Sequence, residues 1–145
     1  MKKRYLAALV LPAFLAACAS NDSGSNAMVN KSELVSQNWV LTKIDNKAID
    51  TQDALSAPNL QLSADLDANG NAGCNRFFGK AELNEGKLRI EKMGMTMMAC
   101  QGPEMKVEQV MSKTLMNWSA ANVSGNQLTL TGTEHSLTFT RADAK

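Results

Sequence analysis

The sequence predicts an α+β domain, an antiparallel, curled, barrel-like sheet with one main helix. Three observations carry that expectation. Short runs alternate apolar and polar residues; turn signals such as Asp45-Asn46, Asn84-Glu85-Gly86 and Ser124-Gly125-Asn126 separate them; and a single stretch, 107–118, has apolar residues at three- and four-residue spacing. Strands in succession, with no regular alternation with helices, exclude a doubly wound parallel sheet. The chain carries neither a Gly-rich dinucleotide turn nor a Walker A loop. With 145 residues and 44% hydrophobic positions there is material for one core and modest extras.

The first extra is a lipoprotein signal peptide, residues 1–17. Lys2, Lys3 and Arg4 precede an apolar run that ends in small residues, which is the layout of an export signal. The run is interrupted by Pro12 and is too short to span a bilayer as a permanent helix. Leu15-Ala16-Ala17-Cys18 resembles the bacterial lipobox, which implies lipidation of Cys18 and a membrane partner reached through that anchor. Ala19 and Ser20, with no Asp after the cysteine, resemble the sorting pattern for the outer membrane, periplasmic face. Residues 18–31 then form the lipidated N-terminus and a flexible tether of Ser, Asn, Asp and Gly, in which only Met28 and Val29 have apolar size. Such a tether spans roughly 20 Å r.m.s..

The domain proper is expected over 32–145. Ser32 and Glu33 start one short helical turn. Trp39, Leu41, Ile44 and Ile49, broken by Asp45-Asn46, read as a strand pair. Leu60, Leu62, Ala64 and Leu66 alternate with polar residues, and Asn69-Gly70 is expected as the hairpin turn after them, because both residues tolerate positive φ. Phe77, Phe78, Ala81 and Leu83 lead through Asn84-Glu85-Gly86 to Leu88 and Ile90, a second hairpin. Pro103 suits a first helical turn, with Val107, Val110, Met111, Thr114, Leu115 and Trp118 as the apolar face of a helix over 104–118. Val123, the pair Leu128 and Leu130, and the pair Leu137 and Phe139 complete a meander.

Charge bounds the partners. Lys and Arg total 15 against 14 Asp and Glu, and removal of the signal peptide leaves acids in slight excess, so nucleic acid is a poor partner. With Cys18 assigned to lipid, Cys74 and Cys100 are an even pair in an oxidising compartment. A disulfide is the economical reading, and closing a loop of about 27 residues would contribute roughly 3 to 4 kcal/mol. Two free thiols or a redox pair remain open alternatives, although no Cys-x-x-Cys motif supports the latter.

Other features lend themselves to chemistry less readily. Asp65-Leu66-Asp67-Ala68-Asn69-Gly70 has the opening of a calcium loop, but Arg76 occupies the position of the bidentate Glu. Met93, Met95 and Met97 would project to one face of an extended segment, either as core packing or, as the sharper alternative, as a Cu(I) site to which His135 adds a nitrogen. His135, the chain's one histidine, sits in the last hairpin connection and is expected as a solvated turn residue, the alternative being hydrolase chemistry with Glu134 or Asp143 orienting the ring. No nucleophile elbow or paired-carboxylate frame is present, so no enzyme activity, no cofactor and no metal are expected. Asn75, Arg76, Phe77 and Phe78 are the partner-binding candidates. Adjacent strand residues face opposite ways, so one phenylalanine should face out, beside Arg76. The methionines of the helix, Met105, Met111 and Met116, would line a groove for an acyl chain or amphipathic peptide if the sheet were incompletely closed.

Gly73-Cys74-Asn75-Arg76-Phe77-Phe78-Gly79, followed by Leu88, Ile90, Met93, Thr96 and Met98-Ala99-Cys100, resembles the META domain, as does Trp39-Val40-Leu41 ahead of Ile44 and Asn46. The whole chain is similar to heat-inducible envelope lipoproteins of Gram-negative bacteria. The resemblance implies a small antiparallel barrel-like fold with one helix, a part in envelope stress tolerance through an unidentified envelope protein, and no catalytic residues. Related domains have been likened to lipoprotein pilotins, which implies as the alternative a carrier holding a lipid chain or peptide beside the helix.

Overall fold

The computed structural model describes residues 28–50 and 57–142. The signal peptide, Cys18 and the tether as far as Ala27 lie outside the described residues, as does Asp143. The elements in chain order are α1 (Lys31–Leu34), β1 (Asn38–Ile44), β2 (Lys47–Ala48), β3 (Asn59–Leu62), β4 (Asp67–Asn71), β5 (Arg76–Asn84), β6 (Lys87–Met95), α2 (Pro103–Met116), β7 (Ser119–Ser124), β8 (Gln127–Thr131) and β9 (Ser136–Arg141).

Alternation along the strands decides which face becomes core. Trp39 and Leu41 of β1, Leu128 and Leu130 of β8, and Leu137 and Phe139 of β9 are buried. Every neighbouring pair runs antiparallel, and β1 also pairs with β9, through Trp39↔Arg141 to Ile44↔Leu137. Among the described residues the sheet therefore closes into a barrel of eight strands, with β2 as a short flap on β1. Closure removes the exposed edges that an open sheet would offer to other strands.

Two plugs fill the ends of this barrel. At one end lie α1, the turns at 63–66, 84–87 and 124–127, and the last residues of β9. Leu34 and Val29 pack into the core there, and the Trp39 indole Nε1–H donates to the Leu34 carbonyl at 3.0 Å. Core packing thus extends upstream of Ser32, where Val29 is buried against the barrel and α1 begins at Lys31. At the other end lie the turns at 45–46, 71–76 and 132–135, with α2 crossing from the second to the third. Gly73 makes the first approach possible, since a Cβ there would stand 2.7 Å from the Glu104 carbonyl oxygen and the residue has φ +129°.

α2 buries Met111, Thr114 and Leu115 and turns Met105 and Met116 to solvent. It ends before Trp118, which lies outside the helix, half-buried, with the Arg89 guanidinium 4.6 Å from its ring centroid. β6 and β7 share two register pairs, Lys87↔Ala120 and Leu88↔Ser119, and α2 packs along β6 beyond them. The condition set for a groove beside the helix, an incompletely closed sheet, is not met among the described residues, and the helix's Met111 and Leu115 are buried.

The hairpin expected at Asn69-Gly70 is misplaced by the sequence reading. Both residues lie inside β4, paired with β3 and β5, and the turn is at 63–66 with Leu66 at φ 65°. Ser63 organises that turn, its Oγ accepting from the amides of Asp65 and Asp67 at 3.2 and 3.0 Å. Gly70 serves close packing: a Cβ would fall 2.0 Å from the Asn59 carbonyl oxygen and 2.8 Å from Phe77 Cζ. The Asp45-Asn46, Glu85-Gly86 and Gly125 turns fall where the sequence places them, with φ values of 50°, 61°, 48°, 74° and 57°. The Gly70→Ala variant is therefore expected to lose at least about 2 kcal/mol in urea unfolding. Gly125→Ala, with nothing within 4 Å of its Cβ, should lose about 1 kcal/mol, from backbone conformation alone.

Candidate functional site

The residues 72–76 form a tight connection between β4 and β5. The Gly73 amide donates to Asn71 Oδ1 at 2.7 Å, and the Ala72 amide to the Asn75 carbonyl at 2.8 Å. Cys74 is joined to Cys100 by a disulfide, with the Cα atoms 6.0 Å apart. The structure holds the bonded form of this pair rather than two free thiols.

Asn75 is the centre of this turn, with 4% of its surface exposed. Its Oδ1 accepts from the Thr96 hydroxyl at 2.9 Å and the Met98 amide at 2.6 Å, while Nδ2 donates to the Met98 carbonyl at 3.2 Å and to Glu108 Oε1 at 3.0 Å. Every side-chain hydrogen-bonding position of the amide is occupied, as burial requires. Glu108 Oε2 also accepts from the Asn75 main-chain amide, so one carboxylate of α2 holds both ends of the residue. The turn, the loop after β6 and the helix are thereby tied at one point. Glu108 was missed by sequence reasoning; its place beside Val107, on the margin of the helix's inward face, was the only available signal.

These contacts divide the four partner-binding candidates. Asn75 and Phe77 are buried, Phe77 with 2% exposed, and neither presents a surface to a partner. Arg76 is exposed, and Phe78 is 61% exposed, because alternate residues of β5 point in and out of the barrel. Phe78 pairs across with Gly94, and its ring lies over that glycine, where a Cβ would meet ring atoms at 2.6 Å. The absent side chain leaves a floor for one ring face and water for the other.

The methionine series does not share a face. Met93 and Met95 pack against the core, whereas Met97 lies beyond the end of β6 and is 97% exposed. β6 ends at Met95, so the strand alternation on which the Cu(I) geometry depended does not extend to Met97.

His135 is half-buried rather than simply solvated, and its partner is Asp45, remote in sequence. His135 Nδ1 and Asp45 Oδ2 stand 2.7 Å apart, and Asp45 Oδ1 accepts from the Ser136 amide at 2.8 Å. Glu134, proposed to orient the ring, binds Lys113 Nζ instead at 2.8 Å. The Ser136 amide, then His135, hold the Asp45 carboxyl below its ordinary value, and Lys113 does the same for Glu134. The depression between these groups, lined by Lys113, Asn117, Thr133 and His135, has room for about one water.

Residues 32–144 match the META domain family. Heat shock protein HslJ of Escherichia coli strain K12 is 29% identical over 142 residues, covering 97% of this chain and 97% of that protein. A solved NMR structure is similar at a TM-score of 0.70 with 27% identity, covering 80% of this chain and 97% of its own. An NMR structure of a protein from Burkholderia xenovorans is similar at a TM-score of 0.64 with 24% identity over 99% of both chains, a likeness of fold alone.

Asn75→Ala is expected to cost about 3 kcal/mol in urea unfolding, since it strands the Met98 main-chain groups and a partly buried carboxylate. Reduction of the disulfide should cost roughly 3 kcal/mol by the same measurement. Asp45 has a depressed folded pKa, so its contribution is present above the usual carboxylate range and is lost as pH falls through the folded value. Asp45→Asn, which keeps the left-handed turn, should lower Tm at neutral pH, with the gap to the parent closing below pH of about 4.

Proposed function

Because the chain belongs to the META domain family, we propose that it is an envelope-stress lipoprotein, anchored at the outer membrane through Cys18, whose domain acts by binding a protein and not by catalysis. The stress role draws on end-to-end similarity to a protein named as a heat shock protein. The anchor draws on the cationic start, the short apolar run and Leu15-Ala16-Ala17-Cys18.

One observation carries the interaction reading. At the turn that holds the family-like residues, every polar group of Asn75 is consumed by the fold, while Phe78 and Arg76 beside it stand in solvent. An exposed aromatic next to an arginine is the composition of binding hot spots, and neither residue is needed to hold the barrel together. The carrier alternative has less to stand on, because Trp39, Phe77 and Phe139 fill the interior and α2 occupies the seam.

Metabolic labelling with a radioactive fatty acid should mark the parent and leave Cys18→Ser unmarked and released from the membrane fraction. Phe78→Ser and Arg76→Glu should unfold within about 0.5 kcal/mol of the parent, as surface substitutions do, yet fail to restore heat survival to a strain lacking the protein. Full restoration by both variants would remove this face from the function.

A further inference from the structure

The outer face of β3, β4 and β5 sorts its side chains into rows by register. Gln61 pairs with Asn69, Asn69 with Phe78 and Phe78 with Gly94, so these four stand in one line across four strands. Asn59, Asn71 and Arg76 form the row on one side, and Asp67 pairs with Lys80 in the row on the other. The residues between them along each strand, Leu60, Leu62, Ala68, Gly70 and Phe77, are buried in the barrel, which turns all three rows outward.

The rows differ in the bonding capacity they retain. Asp67 is spent, with Oδ1 accepting from Lys80 Nζ at 2.9 Å and Oδ2 from the Ser63 hydroxyl at 3.3 Å. Asn71 Oδ1 is taken by the Gly73 amide, and Asn59 Nδ2 donates to the Ala57 carbonyl. The carboxamides of Gln61 and Asn69 and the guanidinium of Arg76 have no partner among the described residues, and all three residues are exposed beside Phe78. The Phe78 ring lies over Gly94 and is open to water on its other face.

We propose that this face binds a neutral, β-linked oligosaccharide, with one sugar stacked on Phe78 and the hydroxyls bonded by Asn69, Gln61 and Arg76. A pyranose has an apolar face of C–H bonds and a rim of hydroxyls that both donate and accept. A flat ring edged by carboxamides, which also donate and accept, complements both parts. A purely apolar occupant would strand two carboxamides and a guanidinium in order to bury one ring. Two strand spacings, about 10 Å, separate Gln61 from Phe78, so a ligand that reaches both is longer than one sugar and flat, as equatorial β-linkages make it. The inference goes beyond the protein-binding reading: it adds a second ligand to the face that contains Phe78 and Arg76, and it draws on Gln61 and Asn69, which that reading does not use.

The side chains are their own probes. The full-length protein, labelled with 15N and 13C and kept in a detergent without a sugar headgroup, is titrated with cellohexaose. The carboxamide signals of Asn69 and Gln61 and the ring signals of Phe78 should shift, while the Trp39 indole signal of the core stays in place. Phe78→Ser should weaken binding about tenfold and Asn69→Ala several-fold, with the urea midpoint unchanged because both residues are exposed. Cellohexaose carboxylated at its C6 positions should bind no more tightly than the neutral form. Tighter binding of the carboxylated form would make the ligand an anion held by Arg76 and overturn the proposal. No shift at millimolar cellohexaose, or undiminished binding by Asn69→Ala, would overturn it as well. The measurement is made on the purified protein, so it stands or falls apart from the heat-survival test of the protein-binding reading.

Discussion

A buried side-chain amide has no water to bond, and the structure around Asn75 is organised by that requirement. The amide finds four partner groups from two segments distant in sequence: the Thr96 hydroxyl and both main-chain groups of Met98 in one, and Glu108 in the other. Leaving any one unmet would cost the desolvation of a polar group in a place with nothing to replace it. The turn at 72–76, the loop after β6 and the helix are consequently held in one relative position, and the Cys74–Cys100 bond closes the same loop covalently.

That tie lets a single helix act as a lid. α2 leaves β6 beside the turn and crosses the barrel mouth to the β8–β9 connection, so its apolar side meets the interior at Met111 and Leu115. At the opposite mouth, Leu34, Val29 and the Trp39 indole do the corresponding work. With β1 paired to β9, the barrel closes among the described residues and leaves few free strand edges there. Its exposed large apolar side chains among the described residues include Phe78, Met97 and Met98.

The functional reading follows from the same division. Residue types that usually signal chemistry are spent on architecture: the cysteines on a staple, Asn75 and Glu108 on a joint, His135 and Asp45 on a bond between two turns. Phe78 stays exposed because strand geometry puts it outside and Gly94 gives its ring somewhere to lie. The proposed interaction reading rests on these exposed side chains and on nothing catalytic.

The sequence by itself determined the class of fold, the succession of strands, the one long helix and three of the tight turns, because alternation, helical spacing and left-handed residues are local properties of the chain. It also determined that one of Phe77 and Phe78 would face out, though not which. Asn69-Gly70 shows the limit of local reasoning: the pair has turn chemistry, yet Gly70 is there because Asn59 and Phe77 come too close for a side chain, a fact about strands folded next to each other. Glu108, the Asp45–His135 bond and the burial of Val29 were likewise decided by tertiary structure alone. Each depends on which segments closure brings together, and a barrel joins residues some 90 positions apart, such as Asp45 and His135, through pairings no local pattern records.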